Sequence, residues 1–119
     1  MEPNISVQYS QNAAIITFSN EKILEDSDIQ QLQASLMSVV EQAEHINMVL
    51  DFSHVSFLSS AVLGLLIRVS KKVYENDGQL KLCNIAPKIY EIFKITRLTK
   101  IFDIYANVEE ALESLTENE

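Results

Sequence analysis

The stretch from Met48 to Gly64, MVLDFSHVSFLSSAVLG, decides the fold. Its opening run, Met48-Val49-Leu50, reads as a buried strand, because consecutive apolar residues suit an element covered by its neighbours. Asp51 and Phe52 close that strand, and Ser53-His54-Val55-Ser56 reads as a loop before the apolar pair Phe57-Leu58. Two hydroxyls follow, Ser59 and Ser60, directly ahead of Ala61-Val62-Leu63-Gly64-Leu65-Leu66-Ile67. Serine before an apolar run with helical spacing marks a helix start, where a side-chain oxygen can accept from free backbone N–H groups. The same position suits a phosphate, since the free N–H groups and the helix dipole both favour negative charge.

Working outward, Ile5 and Val7 alternate with polar residues as a half-buried strand does, and Ala13–Phe18 is a second strand. Ser10-Gln11-Asn12 between them reads as a hairpin turn. Residues 19–25, with Asn20, Glu21 and Lys22, are expected to be a loop. Ser27 and Gln30 have capping-box spacing. Ile29, Leu32, Leu36, Val39, Val40 and Ala43 then share one helical face, which predicts a helix to about Glu44. After the central strand, Val62, Leu65, Leu66, Val69 and Val73 mark the inner side of the next helix, with Arg68, Lys71 and Lys72 on its wetter side. Asn76-Asp77-Gly78 ends that helix. Leu80 and Leu82 anchor another strand. Pro87 opens a short helix with Ile89, Ile92 and Phe93 inward. Ile101–Tyr105 is expected as the last strand. Asn107 and Glu110 cap a final helix with Val108, Ala111, Leu112 and Leu115 as its core contacts. Strands alternating with helices after an opening hairpin imply an α/β fold with a mixed sheet and parallel crossovers.

Phe57-Leu58-Ser59-Ser60-Ala61-Val62-Leu63-Gly64 resembles the F-[IL]-D-S-[ST]-G-L-G signature of anti-sigma factor antagonists, the STAS domain family. Gly78–Pro87, Leu98–Tyr105 and Asn107–Leu112 are similar to that family's fourth strand and turn, last strand and closing helix. The resemblance covers nearly the whole chain. It implies a single STAS domain over residues 1–119, a mixed five-strand sheet with about four helices, and an acidic C-terminal tail from about residue 116. It also implies a switch. The family's serine is phosphorylated by a partner kinase, and it falls on Ser60, with Ser59 as a minor alternative. The implied partners are an anti-sigma factor serine/threonine kinase of the GHKL type and a serine phosphatase, in the cytoplasm of a bacterium.

Three positions depart from the signature. Ser59 stands in place of aspartate and removes an acceptor that could orient the Ser60 hydroxyl. Ala61 stands in place of a hydroxyl residue. Val62 stands in place of glycine and is expected to add bulk where a kinase approaches. Two other readings therefore stay open: a STAS scaffold subunit of a larger complex that has lost the phosphorylation chemistry, and a small-ligand or nucleotide-binding domain. The expected partner surface is Leu58, Ser59, Ser60, Ala61 and Val62, flanked by Glu21 and Asp26 from the loop before the first helix. Each has a plainer explanation: an ordinary N-cap for the serines, packing for the apolar residues, solvation for the acids.

Bulk properties narrow the function. The chain has 119 residues, 47% of them hydrophobic, which is enough for one core. Its net charge of −8 disfavours nucleic acid and anionic membrane surfaces as partners. Much of the acid lies at the end, in Glu109, Glu110, Glu113, Glu117 and Glu119, where a solvated helix and tail account for it. Met1-Glu2-Pro3-Asn4 has no basic start and leads into no apolar run, so no secretory leader is expected, and no stretch is long enough to span a bilayer. One cysteine, Cys83, excludes an internal disulfide and reads as a buried, inert thiol. His45 and His54 lack ligand-spaced companions, so no metal is expected. With only Gly64 and Gly78, no glycine-rich phosphate loop exists, no cofactor is expected, and the chain reads as a binding protein rather than an enzyme.

Overall fold

The computed structural model describes residues 5–10, 13–19, 21–23, 26–42 and 45–116. The elements run β1 (Ile5–Tyr9), β2 (Ala14–Phe18), β3 (Lys22–Ile23), α1 (Asp26–Glu41), β4 (Met48–Asp51), β5 (Phe57–Leu58), α2 (Ser60–Glu75), β6 (Leu80–Cys83), α3 (Pro87–Ile95), a 3-10 turn (Leu98–Lys100), β7 (Asp103–Tyr105) and α4 (Val108–Thr116). Five strands form the main sheet in the order β1-β2-β4-β6-β7. β1 pairs antiparallel with β2, and every other pairing in that sheet is parallel. The mixed five-strand sheet and four helices are the expected architecture.

The pleat sorts the side chains into two faces. Ile16, Leu50, Leu82 and Ile104 pair in register across β2, β4, β6 and β7 and point into the larger core. That core is closed by α1, α2 and α3 through Leu32, Leu36, Leu65, Leu66, Val69 and Phe93. On the opposite face Ala13, Val49 and Cys83 meet Ala111 and Leu115 of α4. β4 is covered on both sides, so all three residues of Met48-Val49-Leu50 are fully buried. Burial of a leucine side chain such as Leu65 or Leu66 contributes about 2 kcal/mol, and this holds α2 in place.

Several local features differ from the sequence reading. Residues 19–25 are not all loop, because Lys22 and Ile23 form β3 and pair parallel with β5. A two-residue strand is too short to show a period. α1 begins at Asp26, so Ser27 lies inside its first turn rather than capping it, and Asp26 and Asp28 supply the negative charge there. The helix ends at Glu41, while Ala43 and Glu44 lie outside the described residues. So do Met1–Asn4, Gln11, Asn12, Asn20, Glu117 and Glu119. Ile92 is 39% exposed, and only Ile89 and Phe93 of α3 are buried. Ile101 and Phe102 precede the last strand, their N–H groups donating back to the Leu98 carbonyl of the 3-10 turn at 3.0 and 2.9 Å. The Asn107 cap is as expected, its Oδ1 accepting from the Glu110 N–H at 2.9 Å.

β6 carries a buried cation that its apolar neighbours conceal. The Lys81 residue is 4% exposed, and its Nζ donates to Asp103 Oδ2 at 2.7 Å, its register partner on β7. The Nζ also lies 6.0 Å from the Tyr105 ring centre. Burial alone would lower the lysine pKa, but the Asp103 hydrogen bond and charge outweigh it and raise the pKa. The pair ties the edge strand to its neighbour at one register.

Asp77 takes the left-handed conformation after α2, with φ 64°, and Gly78 N–H donates to the Val73 carbonyl at 2.9 Å. Gly78 is needed for space instead: a Cβ there would lie 1.9 Å from the Ile46 carbonyl oxygen. In Gly64, within α2, a Cβ would meet only Arg68 Nη1 at 3.5 Å. Gly78→Ala should therefore cost about 2 kcal/mol or more in urea unfolding, by forcing the backbone apart. Gly64→Ala should stabilise by about 0.5–1 kcal/mol by favouring the helix. Equal effects of the two substitutions would contradict this placement.

Candidate functional site

The turn before Ser60 is held from the side by the segment 21–23. The N–H groups of Ser56 and Phe57 both donate to the Glu21 carbonyl, at 2.8 and 3.2 Å. The Ser59 N–H donates to the Ile23 carbonyl at 3.0 Å. Ser56 Oγ reaches Glu21 Oε1 at 3.3 Å. Register pairs Lys22 with Phe57 and Ile23 with Leu58. Alternation then turns Ile23 and Leu58 into the core and leaves Lys22 and Phe57 outside.

The two serines occupy different environments. Ser59 is the N-cap of α2, with extended φ −86° and ψ 165°, and its carbonyl accepts from the Val62 N–H at 3.0 Å. Its side chain makes no cap bond, and Ser59 Oγ is buried with no partner among the described residues. Ser60 is the first residue of α2 and is exposed. Ala61 is exposed beside it. The structure thus separates a buried hydroxyl from an accessible one at the positive end of a sixteen-residue helix.

Leu58 and Val62, both expected on the partner surface, are buried at 6% and 1% exposure, Val62 in keeping with its inward place in the helical spacing. Leu58 is the inward residue of β5, and Val62 lies on the core side of the first turn of α2. The branched side chain of Val62 therefore points into the core and adds no bulk at the surface. The exposed apolar residue at this turn is Phe57, 58% exposed, which the sequence reading passed over. Its signal was the alternation with Leu58. Phe57 lines an apolar groove with Ser56, Leu58, Lys88, Ile89 and Ile92. Glu21 is brought to the turn through Ser56. Asp26 is the first residue of α1, three positions after β3, and is exposed.

Other polar groups act locally. Asp51 Oδ1 accepts from the Ser53 N–H at 3.0 Å and from Asn84 Nδ2 at 2.9 Å, bracing the loops that follow β4 and β6. His45 lies 3.9 Å from Asp77 on the surface, and His54 is exposed in its loop. Among the described residues no group of three or more His, Cys, Asp or Glu is placed to hold a metal ion. No described helix is long and apolar enough to cross a membrane.

The family model for the STAS domain matches residues 4–111. This chain belongs to the STAS domain family. BtrV of Bordetella bronchiseptica, provisionally named an anti-sigma factor antagonist, is 33% identical over 75% of this chain and 75% of its own. The anti-sigma F factor antagonist of Paenibacillus polymyxa is 27% identical, with 97% of both chains covered. The solved structure of an anti-sigma-factor antagonist (STAS) domain protein from Planctomyces limnophilus superposes with a TM-score of 0.86 at 22% identity, covering 94% of this chain and 97% of that one. In this STAS domain the turn before α2 carries the segment that resembles the family signature, and of its two adjacent serines only Ser60 is exposed.

Cys83 is fully buried under α4, where burial, and secondarily the charge of Asp51, push its thiol up to about 12. The folded protein should therefore react with a disulfide reagent at pH 8 at least a hundredfold more slowly than the urea-unfolded chain. Comparable rates in the two states would contradict the burial of this thiol.

Proposed function

We propose that this STAS domain is an anti-sigma factor antagonist that binds an anti-sigma factor serine kinase of the GHKL type while Ser60 is unmodified, and lets go once Ser60 is phosphorylated. A serine phosphatase resets it, and the cycle runs in the bacterial cytoplasm. The protein binds rather than catalyses, and needs no cofactor. One observation carries the reading: of the two adjacent serines, only Ser60 presents an exposed residue at a fixed helix start. The names of the Bordetella and Paenibacillus relatives support the same role.

The switch needs no change of fold. A phosphate adds about −1.5 to −2 charges. At the start of α2 it meets the free N–H end of the dipole and gains about 0.3–1 kcal/mol. Under a docked partner the same dianion is buried without a counter-charge, which costs several kcal/mol. Ser60, Ala61 and the neighbouring Phe57 form the contact, with Glu21 at its edge. Leu58, Val62 and Ser59 support it from below, and Asp26 is peripheral.

One observation favours a different reading, a scaffold without the chemistry. Ser59 replaces the family's aspartate, and its buried oxygen offers Ser60 no oriented acceptor. The two readings separate on one measurement, titration of purified anti-sigma kinase of the same organism into wild type, Ser60→Ala and Ser60→Asp. The switch predicts at least tenfold weaker binding by Ser60→Asp, about 1.4 kcal/mol, with Ser60→Ala near wild type. Unfolding stability of Ser60→Asp should stay within about 1 kcal/mol of wild type, because the helix start tolerates the charge. Equal affinity of all three proteins would contradict the switch and leave the scaffold.

A further inference from the structure

The groove beside the Ser60 turn has a chemistry of its own. Phe57 and Ile92 form its exposed apolar walls, with 58% and 39% exposure, over a floor that includes Leu58 and Ile89. Ile95 stands one turn beyond Ile92 on α3 and is 78% exposed, the most open large apolar residue described. Cations frame this strip. Lys88, one turn before Ile92, lines the groove itself, and Lys22 sits beside Phe57 in the parallel register of β3 and β5. Beyond Ile95 follow Arg97 and Lys100. Residues 87–101 carry four cations, Lys88, Lys94, Arg97 and Lys100, against one acid, Glu91, in a chain whose net charge is −8. Glu91 lies 3.6 Å from Lys94, and Glu21 is engaged by Ser56, so these two acids already have partners.

Exposed isoleucine and phenylalanine ringed by lysine on an otherwise acidic protein make a surface suited to one kind of occupant. We infer that the groove between β5 and α3 seats an apolar segment edged by Asp or Glu, presented by the same anti-sigma kinase that docks on Ser60. The inference rests on the proposed function and names the chemistry of its partner. Two features join the sites. Phe57 is only three residues from Ser60, along a chain pinned by the β3 hydrogen bonds. The apolar strip supplies contact area, and the lysines attract the partner's acids. Phosphate at Ser60 then acts on a partner already chosen for negative charge, and repels it. Rim charges of this kind set association rate and salt dependence, while the central apolar contacts hold the complex.

The test uses the full chain and the purified anti-sigma kinase of the same organism. Affinity is measured by calorimetry at 50 and 300 mM salt for wild type and three variants: Lys22→Glu/Lys88→Glu, Phe57→Ser/Ile95→Ser, and Lys71→Glu as a control on the outer side of α2. All substituted side chains are exposed or at the groove rim, and circular dichroism checks that each variant folds. Wild type should weaken as salt rises. The lysine double variant should bind at least tenfold more weakly at 50 mM salt and lose most of that salt dependence. The Phe57/Ile95 double variant should bind at least tenfold more weakly at both salts, and Lys71→Glu should stay within twofold. Wild-type affinity in both double variants, with Ser60→Asp still weakened, would overturn the groove while leaving the proposed function intact. No binding by wild type would overturn both. Loss in the variants of wild-type self-association by light scattering, or of binding to phosphatidylglycerol vesicles, without loss of kinase affinity, would assign the groove to a second copy or to lipid and overturn the inference.

Discussion

β4 is buried on both faces, and the rest of the molecule depends on that constraint. A strand with no water on either side needs a layer above and a layer below. α1 and α2 close one side with leucine and valine, and α4 closes the other over Val49 and Cys83. Since β4 cannot shift in register without moving Leu50 out of the core, the chain that leaves its C-terminal end is placed as well. That end is where open parallel sheets put their working surfaces. Here the exit leads through Asp51 and its two hydrogen bonds, across a loop, into β5 and the Ser60 turn.

What turns this placement into a site is the small ribbon of β3 and β5. Backbone bonds from 56, 57 and 59 to 21 and 23 fix the direction of the chain just before the helix. Side chains then fall by alternation. Leu58 and Ile23 go inward, and Phe57 and Lys22 go outward. Ser59 is drawn down as the cap, and Ser60 is left at the surface on a helix anchored by Leu65, Leu66 and Val69. Under the proposed function, a phosphate on this exposed serine at the positive end of a dipole would be read by the partner and not by the fold.

The main sheet, α2 and the Ser59-Ser60 turn were legible in the sequence, because Met48-Val49-Leu50 and the helical spacing from Val62 to Val73 are long, unbroken patterns. The parts that were not legible share a physical reason. β3 has two residues and no period. Leu58 is buried and not exposed, since which way so short a segment faces depends on its pairing with Ile23, a strand far away in sequence. Val62 is core, as the helical spacing indicates, and not the surface bulk that its place in the motif suggests. Ile92 has the spacing of a buried residue and lies at a groove. Lys81 sits among buried residues because Asp103, twenty-two positions on, meets it across the sheet. Asp77, and not the glycine beside it, takes the left-handed turn, and the glycine serves a close approach to Ile46 instead.

The most direct test of the central claim is the position and consequence of phosphate on the protein isolated from its own host. Intact mass and fragment mapping would be read together with what co-purifies with each form. The account predicts a single phosphate on Ser60, none on Ser59, whose Oγ is buried, and a serine kinase bound only to the unmodified form. Absence of phosphate under every growth condition, or the same partner bound to both forms, would contradict it.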